Sequence, residues 1–270
     1  MTTISTTVPD WLALRAGADA AARSHVLAAA LARAIPAGPV VVHDLGAGTG
    51  AMPRWLAARL PGPQQWVLHD GDAGILSHLD LRGVADRDGW PVAADVRIGE
   101  LAALPEDAFH GATAVTASAL LDVVTREEAA RIVAACVHAG APALFSLTVT
   151  GSVRISGPAR FDVRALGAAF DDHQRRTVDG RTMLGPDAVS VVAAAFTAAG
   201  WRVRTAATPW RLSAGGLLTV WLDGWIGAAL EQRPELADVA DRHRARWEAL
   251  AAAGRLRAVV QHEDLLACPA

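Results

Sequence analysis

The chain has 270 residues, a formal net charge of −3, 52% hydrophobic residues and 20% charged ones, enough apolar material for a sizeable core. It has no lysine, tyrosine or asparagine, and all 25 basic residues are arginine. These absences exclude a P-loop, a pyridoxal-phosphate Schiff base, a protein-kinase lysine and any N-glycosylation acceptor. The slight acidic excess argues against a nucleic-acid partner, which calls for a basic face. Cys136 and Cys268 are too few for a disulfide framework and too scattered for a metal site, so no metal ligand is assigned. The N-terminal MTTISTTVPDW lacks the charged start and apolar run of a signal peptide, and apolar stretches break off before the ~18 residues that span a bilayer. The expectation is a soluble cytoplasmic protein without a membrane partner.

In chain order, an Ala/Leu-rich helix is expected over 11–35 with Asp10 as its N-cap. The β-branched run from Val40 ends in glycines at Gly50 and opens a helix over 51–60, stopped by Pro61-Gly62-Pro63. A strand at Trp66–Asp70, a helix at Ala73–Leu81, and strands at Val92–Val96 and Ala112–Thr116 follow. Thr125 and Glu128 form a capping box that opens a helix ending at Gly140. Ala143–Thr150 reads as a strand, Pro186 and Gly200 bracket a helix, and Trp201–Thr205 and Leu256–His262 read as late strands. Alternating strands and helices predict a parallel sheet with helices on both faces. Residues 151–185, which are Arg-rich, and 209–254, with four tryptophans, break the alternation.

A strand ending in glycines that opens a helix is a ligand site in such sheets. Missing Cβ atoms let the backbone approach the ligand, and free N–H groups face it. Two templates fit. Gly46-x-Gly48-x-x-Ala51 matches the dinucleotide fingerprint, whereas Gly46-x-Gly48-x-Gly50 with Asp44 two positions before it fits another pattern.

The stretch VVHDLGAGTG resembles the first motif of class I S-adenosylmethionine-dependent methyltransferases, and the resemblance covers about residues 40–150. It implies a Rossmann-like, doubly wound α/β fold in one domain spanning residues 1–270. The mostly parallel sheet would have seven strands, the last antiparallel, with a helical cap built from 151–185 and 209–254. It implies S-adenosyl-L-methionine as cofactor, with Gly46, Ala47, Gly48 and Gly50 around its methionine and ribose and Asp44 holding the amino group. Asp70, ending WVLHD, would take both ribose hydroxyls, since a carboxylate accepts two hydrogen bonds at once; Gly71 adjoins it and Asp72 competes for the role. Glu100 and Leu101 would lie at the adenine, Ser118 between cofactor and substrate, and Arg23 at the cofactor carboxylate when the first helix closes.

Ligands bind beyond the carboxyl ends of the strands, so the two irregular stretches belong to the substrate side. Asp122 is the first candidate for a catalytic base and His173 the second; each also reads as an ordinary helix-start or solvated residue. His43 reads as a core histidine, and His262, at the far end of the last strand, is argued against as a base. Arg154 and Arg164 are candidates to clamp an anionic substrate group. Trp221 and Trp225, one helical turn apart, are candidates to wall a flat acceptor ring or simply to pack the cap. The absent residue types share AT-rich codons, which points to a GC-rich bacterial genome. The expected activity is methylation of O or N, less readily C, on a small molecule of bacterial specialised metabolism. A nicotinamide-dependent oxidoreductase and a non-catalytic cofactor-binding protein of the same fold are the alternatives. Self-association as a homodimer stays open.

Overall fold

The computed structural model describes residues 8–270. The expectation about a leader segment falls mostly on residues 1–7, outside the described residues. The predicted first helix is two: α1 (Val8–Ala22) and α2 (His25–Ala34). Ser24 breaks it by capping α2, its Oγ accepting the Leu27 N–H at 3.2 Å, while its own N–H donates to the Asp264 carboxylate at 2.8 Å. Such a side-chain partner competes with helix continuation. Asp10 lies inside the first turn of α1 rather than capping it.

Next come β1 (Val40–Leu45), α3 (Ala51–Leu56), β2 (Gln64–Asp70), a one-turn α4 (Ala73–Leu76), β3 (Ala93–Ile98), β4 (Ala114–Ser118) and α5 (Arg126–Ala139). The helix expected through Leu81 ends at Leu76, because Leu79 and Leu81 turn back to pack against the core under α2 and α3. Both halves of the capping box form: the Thr125 N–H donates to Glu128 at 2.9 Å and the Glu128 N–H to Thr125 at 3.2 Å. Gly140 ends α5 in the left-handed conformation.

The chain continues through β5 (Ala143–Ser156), α6 (Arg164–Gln174), a small hairpin of β6 (Thr177–Val178) and β7 (Arg181–Thr182), α7 (Ala188–Ala198), β8 (Arg202–Ala207), β9 (Trp210–Ser213), α8 (Gly216–Gln232), α9 (Ala237–Ala252) and β10 (Arg257–Cys268). The main sheet runs β3-β2-β1-β4-β5-β10-β8. The pairs among the first five strands are parallel, and β10 is antiparallel to both neighbours. This is the expected doubly wound, mostly parallel architecture with an antiparallel last strand. An eighth strand, β9, pairs with the start of β10. Strand order reverses between β1 and β4, the switch point at which a crevice opens.

Three apolar cores hold the structure. One packs α5 and α7 on one sheet face, one packs α2 and α3 on the other, and a third joins α6, α8 and α9 to β9 and the start of β10. The third core packs these helices where the end of β5 pairs with the start of β10, beyond the carboxyl ends of the parallel strands. None of the described helices is long and apolar enough to cross a membrane.

Candidate active site

The switch point is built from the end of β1. Gly46 and Gly48 have φ of +61° and +52°, values that cost a side-chain-bearing residue strain and glycine little. The turn is pinned at two points: the Ala47 N–H donates to the His69 carbonyl at 3.0 Å and the Gly48 N–H to Asp70 Oδ2 at 2.8 Å. Asp70 Oδ1 accepts the Asp72 N–H at 3.0 Å. Asp70 thus braces the glycine turn and stays partly exposed beside Gly71. Asp72, the competitor, is committed elsewhere, since its side chain caps α4 through the N–H groups of Gly74 and Ile75. Glu100 is exposed after β3, with its Oε1 3.0 Å from where a Cβ on Gly71 would stand. Leu101 packs against the α5 core.

The other end of the crevice is charged and buried. Asp44 accepts the Thr116 hydroxyl at 2.7 Å, and burial raises its carboxyl to about 7, with Arg23 opposing. Arg23 is 3% exposed. It donates to Ser118 Oγ at 2.8 Å, while its Nε has no hydrogen-bond partner.

An S-adenosyl compound offers donors at its ribose hydroxyls, adenine amine and ammonium, and acceptors at its carboxylate. Asp70, Glu100 and Asp44 supply acceptors, and the orphaned Arg23 Nε supplies a donor, so the residue chemistry fits. The surface of the turn is covered, however. A Cβ on Gly46 would come within 2.9 Å of Leu120, and Leu12 of α1 and Ile75 lie over Gly48. A ligand lying against Gly46 must displace Leu120.

Beside this crevice, between α1, α6, α8 and the sheet, lies a cavity of about 610 Å³, within the size range of small-molecule sites. Trp221 and Trp225 line it with their rings stacked, centroids 5.7 Å apart. Trp11, Arg15 and Trp210 add a second aromatic wall. The Arg15 guanidinium sits 4.9 Å over the Trp210 ring and is held by Asp19 at 2.9 and 3.2 Å. Asp122 lines the cavity, and its Oδ1 is closed to solvent without a hydrogen-bond partner. Burial raises its carboxyl pKa despite nearby Arg15.

Three sequence expectations are corrected. His173 lies outside the cavity lining and faces α8, 3.7 Å from Glu231. Arg164 is 90% exposed and paired with Asp162 at 2.7 Å, and Arg154 is exposed on the outer part of β5; neither lines the cavity. His262, argued against above, does line it, because β10 runs on to Cys268 and leaves this residue mid-strand opposite Val149. Its Nδ1–H donates to the Val260 carbonyl at 3.1 Å, and burial with Arg15 lowers its pKa to about 4, so the ring is neutral. Trp11 and Trp210 were missed as lining residues. The spacing of Trp11 and Arg15, one helical turn apart, was the available signal.

No protein-family model matches the chain, and the comparison with curated proteins returns no match. Solved structures similar in shape include a precorrin-6y C5,15-methyltransferase from Geobacter metallireducens, 9% identical over 91% of this chain and 87% of that one, with a TM-score of 0.47. A second, from Geobacter sulfurreducens, is a SAM-dependent methyltransferase in complex with S-adenosyl-L-homocysteine, 15% identical over 98% and 100%, with a TM-score of 0.44. A putative sarcosine dimethylglycine methyltransferase from Galdieria sulphuraria is 14% identical over 90% and 83%, with a TM-score of 0.46. These likenesses are distant, and the functional reading rests on this chain's own residues.

Proposed function

We propose that the chain is an S-adenosylmethionine-dependent methyltransferase acting on O or N of a small molecule held under the cap. The observation that carries this reading is the convergence, at one switch point, of a glycine turn after β1, Asp70 ending β2, Glu100 after β3, and a buried Asp44–Arg23 pair matched to an amino-acid tail. When bound, the cofactor supplies an activated methyl group with a good leaving group. The protein's part is then to bind, align and exclude water. Asp70 and Glu100 orient the adenosine, Arg23 and Asp44 the charged tail, and α1 closes over the turn through Leu12. Asp122 stands at the cavity as acceptor for a proton leaving the substrate. A site in the cytoplasm belongs to the same proposal.

The test is calorimetric titration with S-adenosylhomocysteine and with NAD at several pH values. Asp44 is protonated below about 7, and an ammonium group binds its ionised form. Affinity for S-adenosylhomocysteine is therefore expected to rise about tenfold per pH unit from acid up to that value and then level off. Asp44→Asn is expected to flatten the slope. NAD binding without any response to the sulfur compound would replace this reading with an oxidoreductase.

A further inference from the structure

The cavity's lining restricts what it can accept. Among the described residues, Arg15 is the one cationic side chain that lines it, and that charge is already balanced by two hydrogen bonds to Asp19 and stacked over Trp210. Asp19 in turn accepts the Trp210 indole N–H at 3.0 Å, so this arrangement is locked. His262 is neutral and its Nδ1–H is spent on the Val260 carbonyl. None of the arginines of 151–185 that suggested anion recognition lines the cavity, and Arg164, Arg175 and Arg181 are paired with Asp162, Asp187 and Glu128. An anionic ligand would therefore meet no free cation, and the unpaired Trp225 indole N–H carries no charge to offset the desolvation cost of a buried anion.

The walls favour a flat ring. The stacked pair Trp221–Trp225 forms one panel, and Trp210 with the His262 ring 5.1 Å from it forms another. Aromatic faces gain from offset or edge contact with a planar guest beyond the area they bury. Between these panels and the sheet, the described lining residues hold three buried polar atoms without a hydrogen-bond partner, the acceptors Asp122 Oδ1 and Gln174 Oε1 and the Trp225 Nε1–H donor. A buried carboxyl oxygen left unmatched is destabilising, and a guest that brings a donor removes that cost.

We propose that this cavity takes a planar aromatic acceptor that carries no anionic group and bears a phenolic hydroxyl or aromatic N–H donating to Asp122. The proposal deepens the methyltransferase reading by naming its substrate class, and it rests on that reading for the word acceptor. The pocket's preference itself can be measured without cofactor.

The experiment is calorimetry on the full chain, cofactor-free, with four probes: 2-naphthol, 2-aminonaphthalene, 2-methoxynaphthalene and 2-naphthoate. At least one of the two donor-bearing probes is expected to bind, and which one distinguishes an oxygen from a nitrogen acceptor. The methoxy compound, which lacks a donor, is expected to bind about tenfold more weakly, the loss of one hydrogen bond to a buried group. Naphthoate is expected not to bind up to about 1 mM. In Asp122→Ala, checked for an unchanged thermal transition, the preference for the donor-bearing probe over the methoxy compound should vanish. If Asp122→Ala does not fold, the wild-type comparison of the four probes decides alone. Naphthoate binding as tightly as naphthol, no binding of either donor-bearing probe, or a donor preference that survives in folded Asp122→Ala would each overturn the proposal. Because no probe contains an adenosyl group, a failed S-adenosylhomocysteine titration sinks the cofactor reading and leaves this result standing. The reverse pattern sinks this proposal alone.

Discussion

Asp264→Ala is expected to lower the free energy of unfolding by about 3–5 kcal/mol, the range for removing one partner from a buried charged network. Asp264 is fully buried. Its Oδ1 accepts the Leu147 N–H at 2.8 Å and the Thr208 hydroxyl at 2.9 Å, and its Oδ2 accepts the Ser24 N–H at 2.8 Å. One carboxyl group on β10 therefore ties the start of α2, a bulged residue of β5 and the corner after β8. Leu147 has a φ of +59°, a strained value for leucine that survives only where surroundings fix it. Alanine strands three donors and removes a countercharge near buried Arg23. Asp264→Asn should fall between, since its amide keeps one accepting oxygen but turns a donor toward the others. Denaturant unfolding reads both. A change under about 1 kcal/mol in the alanine variant would show that the network is not a structural keystone. Because Leu147 lines the cavity and Arg23 precedes Ser24, the same variant should also loosen the site.

Asp70→Ala should weaken S-adenosylhomocysteine binding by about 1.5–3 kcal/mol, the range for hydrogen bonds to a charged group. Part of any loss would come from the turn, since Asp70 also accepts the Gly48 and Asp72 N–H groups. An analogue lacking both ribose hydroxyls separates the two effects. It should bind wild type weakly and lose little further in the variant, whereas an equal loss for both compounds would assign Asp70 to the turn alone. This is a double-mutant cycle with the ligand as one partner.

The turn and its acids were legible because their signals are local. Glycines where φ is positive, an acid at or next to the end of each of two neighbouring strands and a capping box are each carried by residues only a few positions apart. The cavity was half legible. Trp221 and Trp225 share a helix face, as do Arg15 and Asp19 four residues apart on α1, so these pairings follow from spacing, but the meeting of Trp11, Arg15 and Asp19 with Trp210 depends on how α1 docks on β9. His262 was misplaced because the last strand was ended early. The strand expected to end at His262 in fact continues through Cys268, with Asp264 buried inside it. Arg164 and Arg175 misled for the reason charge runs usually do, since nearby Asp162 and Asp187 satisfy them at the surface. Leu120 over Gly46 carried no sequence signal, because its position follows from the strained Ala119 before it, at φ +52°.

The most direct measurement is a crystal structure of the protein grown with S-adenosylhomocysteine. The ribose hydroxyls should lie within hydrogen-bond distance of Asp70, the amino-acid tail between Asp44 and Arg23, and Leu120 off Gly46. Electron density for the compound anywhere else, or a turn still sealed by Leu120 at saturating ligand, would contradict the account.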